Sequence, residues 1–166
     1  MSQDEGSTAK FKTSRLDVEK LNSFFDKLEF YRLPAQSQKS PEQAAATTWR
    51  IVLISLTSQK NPLPLEIYDD ILIGRALGKT DVDLDLTAFR ALELGVSREH
   101  ATLRPTEETL LLYDRKSTNG TFCNFKNATI TDPLPVANND ILSFGVLNFQ
   151  IKIIRHPKPL GSGNLY

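Results

Sequence analysis

The hydrophobic period of the chain changes at residue 49, and this change restricts the fold more than any other feature. Downstream, the segment 49–57 is rich in β-branched residues, and Val82, Leu84 and Leu86 alternate with Asp83 and Asp85. Short apolar runs follow at 65–68, 71–73, 100–104, 109–113, 121–123, 141–144 and 147–154. Turn residues separate several of them, among them Asn119-Gly120, Asn138-Asn139 and Gly145. A two-residue period belongs to strands with one buried face. Many short strands at close spacing predict an all-β sandwich of two antiparallel or mixed twisted sheets, not a parallel sheet covered by helices. With 40% of residues hydrophobic, the chain can fill such a core.

Upstream, the pattern is different. Residues 1–13 are polar and rich in small side chains, which predicts a flexible arm. Leu21, Phe24, Phe25, Leu28 and Tyr31 recur at three- and four-residue steps, the spacing of one helix face. Ser14 with Asp17 offers a weak start signal, and Pro34 stops the pattern. The expected organisation is an arm, an amphipathic helix over about 14–33 and a linker up to residue 48, then a sandwich over 49–155 and a loose tail over 156–166.

Charge and composition exclude several functions. The chain has 20 basic and 20 acidic residues, without the clustered basic excess that nucleic acid requires. One cysteine allows neither an intrachain disulfide nor a Cys-rich zinc site. No run approaches the roughly 18 apolar residues of a membrane span, and the start, Met1-Ser-Gln-Asp-Glu, has no signal-peptide pattern. The expectation is a cytoplasmic protein with no metal, cofactor, nucleic acid or membrane partner.

Enzymatic motifs fail on detail. Gly74-Arg-Ala-Leu-Gly78-Lys79-Thr80 places three residues between its glycines where a P-loop needs four, and a strand pattern follows instead of a helix. Gly95-Val-Ser97-Arg-Glu lacks the second glycine of a nucleophile elbow. Asp81, Asp83 and Asp85 begin like a calcium loop, but Leu92 stands where the closing glutamate is required. No catalytic residue is expected.

A different set of motifs is coherent. Ile73-Gly74-Arg75, Val96-Ser97-Arg98-Glu99-His100-Ala101, Asp114-Arg-Lys-Ser117-Thr118-Asn119-Gly120-Thr121 and Asp140-Ile-Leu142-Ser-Phe144-Gly145 occur in this order, each at a strand end or turn. Together they resemble the forkhead-associated (FHA) domain, a phosphothreonine-peptide-binding β-sandwich, and 85–98 is more similar to prokaryotic members. The resemblance implies a non-catalytic module that recruits a phosphorylated partner, a substrate of a Ser/Thr kinase, in signalling or regulated assembly. By matching position, Arg75, Ser97, Arg98 and Thr118 take the phosphate-binding roles and Asn119 holds the peptide backbone. Gly74, His100, Gly120 and Thr121 support the site. The donor chemistry agrees, because an arginine fork, hydroxyls and turn N–H groups suit phosphate oxygens.

Each residue also has a plainer reading. Arg98 is equally explained by a salt bridge to Glu99 or Asp114, and Asn119 by a hairpin turn that needs positive φ. Two positions depart from the family pattern. Asn124-Phe125-Lys126-Asn127 stands where Asn-Gly is usual, so that turn must be built differently, and Asn139-Asp140 replaces Gly-Asp. Asparagine tolerates a left-handed position, so the second change costs little. An alternative function is phosphorylation-independent assembly, with the apolar helix stripe or a sandwich face meeting a partner or second copy. A third reading has Thr8 or Thr13 phosphorylated and captured by the same loops.

Overall fold

The computed structural model describes residues 23–25, 27–76 and 82–157. The strands are β1 (Tyr31–Leu33), β2 (Trp49–Ser55), β3 (Leu63–Ile67), β4 (Ile71–Gly74), β5 (Leu84–Asp85), β6 (Glu99–Pro105) and β7 (Leu110–Asp114). They continue with β8 (Thr121–Cys123), β9 (Lys126–Ala128), β10 (Leu134–Val136), β11 (Ile141–Phe144) and β12 (Leu147–Arg155). A seven-stranded sheet has the order β1-β3-β2-β12-β11-β8-β9, and a five-stranded sheet the order β10-β7-β6-β4-β5. Most pairs are antiparallel, but β1 lies parallel to β3 and β5 parallel to β4. The fold is the expected mixed β-sandwich.

Alternation along the strands builds the core. Ile51, Leu53, Leu142, Phe144, Phe149 and Ile151 face inward from one sheet, and Ile71, Ile73, Ala101, Leu103, Leu110 and Leu112 from the other. Fully burying one such large side chain contributes about 1.5–3 kcal/mol. The 82–86 alternation is used in the same way, with Leu84 and Leu86 in the core and Asp83 and Asp85 outside it, although only Leu84–Asp85 pairs as a strand.

The segment before residue 49 differs from the expected helix and linker. Tyr31–Leu33 adds a strand to the seven-stranded sheet, so the sandwich begins upstream of the expected boundary. Within the expected linker, Pro41–Ala46 forms α1, started by a capping box between Ser40 and Gln43, with Pro41 in the first turn. The arm, with Thr8 and Thr13, and half of the expected helix lie outside the described residues, and residues 23–25 of that helix are helical. At the other end His156 packs its ring on Trp49, with centroids 4.7 Å apart, and Pro157 is buried, so these two residues belong to the domain and not to a tail.

The two atypical turns have clear solutions. Asn139 takes φ 74°, the left-handed conformation its side chain tolerates. Asn124 (φ 48°) and Phe125 (φ 69°) are both left-handed and join β8 to β9 in a two-residue hairpin with Cys123 opposite Lys126. Asn124 suits this position, and its side chain also bridges Asp140 and the Ile141 N–H at 2.9 Å each. Phe125 does not suit it, and its ring is 86% exposed. Replacing Phe125 by glycine is expected to stabilise the domain by about 1 kcal/mol, read as a raised denaturant midpoint at unchanged slope.

Candidate functional site

Four connections converge at one end of the sandwich. The exit of β4 carries Arg75, the residues before β6 carry Ser97 and Arg98, the β7–β8 connection carries Thr118 and Asn119, and the β11–β12 turn carries Gly145. The β7–β8 connection crosses from the five-stranded to the seven-stranded sheet. Its geometry is therefore set by contacts and not by a hairpin ladder.

The first contact is steric. A Cβ on Gly74 would lie 1.8 Å from the Arg98 carbonyl oxygen, so only glycine allows β4 to approach the Ser97–Arg98 backbone this closely. The neighbouring Arg75 N–H then donates to the Ser97 carbonyl at 3.3 Å, and Arg75 Nε donates to the Val96 carbonyl at 2.7 Å. This second bond holds the guanidinium over the loop. Among the described residues its terminal nitrogens, Nη1 and Nη2, have no hydrogen-bond partner.

His100 locks the loop from beneath. It is fully buried, its Nδ1 accepts the Ser97 N–H at 2.9 Å, and its Nε2 lies 2.9 Å from the Gly120 carbonyl. Because Nδ1 must accept, the proton resides on Nε2, which donates to Gly120. The imidazole thereby ties the Ser97 loop to the β7–β8 connection and stands edge-on to Phe144. Burial pushes its pKa below the usual imidazole range, outweighing the opposing effects of the Gly120 carbonyl and the Asp114 charge.

A depressed histidine pKa means that the unfolded chain takes up the proton first as pH falls. The stabilisation is complete above the unfolded value of about 6.5 and is lost as pH falls through the folded value. Between about pH 7.5 and pH 5, the melting temperature of the wild type is expected to fall more steeply than that of a His100→Gln variant. Parallel thermal melts across this range check it.

The facing loop is organised by Asp114. Its carboxylate accepts the Ser117 N–H at 3.1 Å, the Ser117 hydroxyl at 2.5 Å and the Thr121 hydroxyl at 2.7 Å. Ser117 Oγ in turn accepts the Gly120 N–H at 3.0 Å. Gly120 takes φ 87°, where a β-carbon is strained. Asp114 and Ser117 are not among the nine residues the sequence singles out; the signal for them is an aspartate three residues before a serine, the usual side-chain-to-backbone turn pattern. Asp85 plays the same part on the β5 side. Burial acts to raise its pKa, but hydrogen bonds from Thr87 and the Ala76 N–H hold it below the usual carboxylate range.

The two loops meet along a seam with three rungs. Asn119 Nδ2 donates to the Gly95 carbonyl at 2.9 Å, the Thr118 N–H donates to Ser97 Oγ at 3.1 Å, and Arg115 Nη2 lies 3.5 Å from Glu99 Oε2. Gly95 takes φ 79°, which favours glycine, and a Cβ there would lie 2.4 Å from Asn119 Nδ2 and displace the donor of this rung. Ser97 Oγ accepts in the middle rung, so its hydroxyl proton remains available to a ligand. In the same way, among the described residues one Asn119 amide hydrogen and its Oδ1 have no partner.

Two of the plainer readings do not hold. Positive φ in the turn belongs to Lys116 (55°) and Gly120, not to Asn119. Glu99 is paired with Arg115 and Asp114 is occupied by Ser117 and Thr121, leaving exposed Arg98 without an ion pair among the described residues. All nine residues singled out by the sequence thus lie in or directly beneath this one surface.

Residues 71–145, which include all nine, match the family model for the FHA domain. A solved structure from work on phosphothreonine-dependent FHA domain interactions is 26% identical, with a TM-score of 0.50, over 66% of this chain and 99% of that one. The FHA domain of an Arabidopsis thaliana hypothetical protein superposes with a TM-score of 0.54 at 16% identity, over 75% of this chain and 98% of that one. The yeast Pml1 splicing factor superposes with a TM-score of 0.53 at 16% identity, over 77% and 100% respectively. These last two likenesses concern the fold alone. No curated protein matches the chain. No helix among the described residues is long and apolar enough to cross a membrane.

Proposed function

We propose that this chain, which carries an FHA domain, binds phosphothreonine in a partner protein and recruits that partner without catalysis. FHA domains are phosphothreonine-dependent peptide-binding modules, and the observation that carries the reading to this chain is the seam itself. Thr118 is bonded to Ser97 across it and Arg75 to the Ser97 and Val96 carbonyls, with Arg98 next in the chain. Among the described residues the terminal nitrogens of Arg75 and the Ser97 hydroxyl proton have no partner. Arg75 and Ser97 bind phosphate oxygens, with Arg98 and the Thr118 hydroxyl joining them, while Asn119 fixes the peptide backbone. Gly74, His100, Gly120 and Thr121 hold the loops in register. The partner is a substrate of a Ser/Thr kinase, and the setting is cytoplasmic.

Charge-assisted hydrogen bonds contribute roughly 1.5–3 kcal/mol each. Two or three of them, less the desolvation of a dianion, correspond to affinity of about micromolar order. Threonine is preferred to serine through its extra methyl, a difference of about 1–3 kcal/mol, so phosphoserine binds more weakly but still binds. A degenerate phosphothreonine peptide library, read before and after phosphatase treatment, tests the reading and defines the flanking preference. Phosphatase should abolish retention, and retention that survives phosphatase would refute the reading.

A further inference from the structure

The segment ahead of residue 49 builds a groove at the end of the sandwich opposite the Ser97 loop. The site described above lies where the chain leaves β4, and the groove lies where it enters β4, over Tyr68. Its volume is about 700 Å³, within the range of small-ligand sites, and its walls include Arg32, Ala35, Gln36, Lys39, Pro41 and Tyr68. All of these residues precede the stretch that matches the FHA family model, so membership of the family does not account for the groove.

Local bonds fix its floor and one wall. The Tyr68 hydroxyl donates to the Pro34 carbonyl, and the Tyr68 N–H donates to the Leu33 carbonyl at 3.3 Å. Lys39 Nζ donates to the Tyr68 carbonyl at 3.2 Å and to Thr47 Oγ1 at 3.3 Å, and it pairs with Asp69 at 3.3 Å. Asp69 also accepts the Ser37 hydroxyl. The three ammonium hydrogens of Lys39 are therefore in use, and Asp69 offsets its charge.

Arg32 is held differently. It stands opposite Glu66 in the β1–β3 register, but Arg50 Nε already occupies the Glu66 carboxylate at 2.8 Å. The Arg32 guanidinium lies instead over the Tyr68 ring, 4.6 Å from its centroid. A ring face attracts the cation without using any of its N–H donors. Among the described residues these side-chain donors have no hydrogen-bond or ion-pair partner. The groove thus presents one uncompensated, stacked guanidinium beside the exposed apolar side chains of Ala35 and Pro41.

We infer that this groove is a second ligand site, and that it takes a small organic anion: a carboxylate or phosphate joined to an apolar body about the size of one ring. The Arg32 fork binds two oxygens of the head group. The body lies against Ala35 and Pro41, and the exposed Gln36 amide closes the polar rim. The site is independent of phosphothreonine binding at the far end of the sandwich.

The test is an amide chemical-shift titration of the full chain by NMR at low salt. The probes are benzoate and phenyl phosphate, with acetate and inorganic phosphate as head groups without a body. At least one of the two ring-bearing anions should shift the amides of Ala35, Gln36 and Ser37 with a midpoint of about 1 mM, at least five-fold below that of its bare head group. The tighter of the two identifies carboxylate or phosphate as the head group taken. Arg32→Gln removes the fork and Gln36→Glu adds a repelling charge, both at exposed positions, so each should weaken binding at least five-fold with little change in melting temperature. Arg75→Ala should bind the probe as the wild type does. Shifts confined to the Ser97 and Thr118 loops, loss of the response in Arg75→Ala, or a response that survives Arg32→Gln or Gln36→Glu would each overturn the inference. Bare head groups binding as tightly as the ring-bearing anions would show an adventitious ion only and would also overturn it. None of these outcomes decides whether the chain binds phosphothreonine peptides.

Discussion

Gly74→Ala is expected to destabilise the domain by about 3–5 kcal/mol, enough to unfold a domain of ordinary stability. The added Cβ would meet the Arg98 carbonyl oxygen at 1.8 Å and its carbonyl carbon at 2.7 Å, both backbone atoms that no side-chain rotation can move aside. Relief requires separating β4 from β6, where the ladder already shifts register between Ile73 and Gly74. Separation breaks the Arg75 N–H bond to Ser97, and it disturbs Gly74 itself, whose carbonyl accepts the Leu86 N–H at 2.8 Å. Circular dichroism and thermal melting are the checks. A variant with wild-type melting temperature and intact binding would show that the close approach is not required.

Arg75→Ala is expected to lower phosphopeptide affinity by at least about 30-fold, the loss of one or two charge-assisted bonds. The fold should lose much less. The Val96 carbonyl gives up its 2.7 Å bond from Nε, worth about 1 kcal/mol net, and Arg75 is only half-buried. Arg75→Lys separates charge from geometry. A lysine keeps the cation but cannot bond Val96 through Nε while presenting two terminal nitrogens to phosphate, so most of the affinity should still be lost. Binding of phosphopeptide by Arg75→Ala with wild-type affinity would exclude Arg75 from the phosphate site.

The loops that gather the candidate residues were largely legible because their geometry depends on local chemistry. Glycine at a close approach, histidine beneath a loop and hydroxyls in turns are fixed by short-range geometry, and their order along the chain was informative where each motif alone was weak. Asp114 and Ser117 fall within a legible motif but carry no legible role, because an aspartate and a serine in a polar loop have many equivalent uses. Only the three bonds to the Asp114 carboxylate reveal that it organises the turn.

The β-sandwich itself followed from the two-residue period, and the missed strands are those without one. In β9, Lys126 and Asn127 are exposed and only Ala128 is buried; β10 has Pro135 at its centre and is tolerated because it is an edge strand. β1 reads as helix in the sequence because Tyr31 completes an apolar series at three- and four-residue steps. Its pairing is parallel and joins it to β3, more than thirty residues downstream (Tyr31 with Leu65), so nothing local to the sequence encodes it. Tertiary pairing overrides local periodicity there.

The most direct measurement is a calorimetric titration of the wild-type chain with one peptide in three forms: phosphothreonine, phosphoserine and unphosphorylated threonine. The phosphothreonine form should bind at about micromolar affinity, the phosphoserine form about ten-fold or more weakly, and the unphosphorylated form not measurably. Equal binding of the phosphorylated and unphosphorylated peptides would contradict phosphothreonine recognition at the loops of Arg75, Ser97 and Asn119.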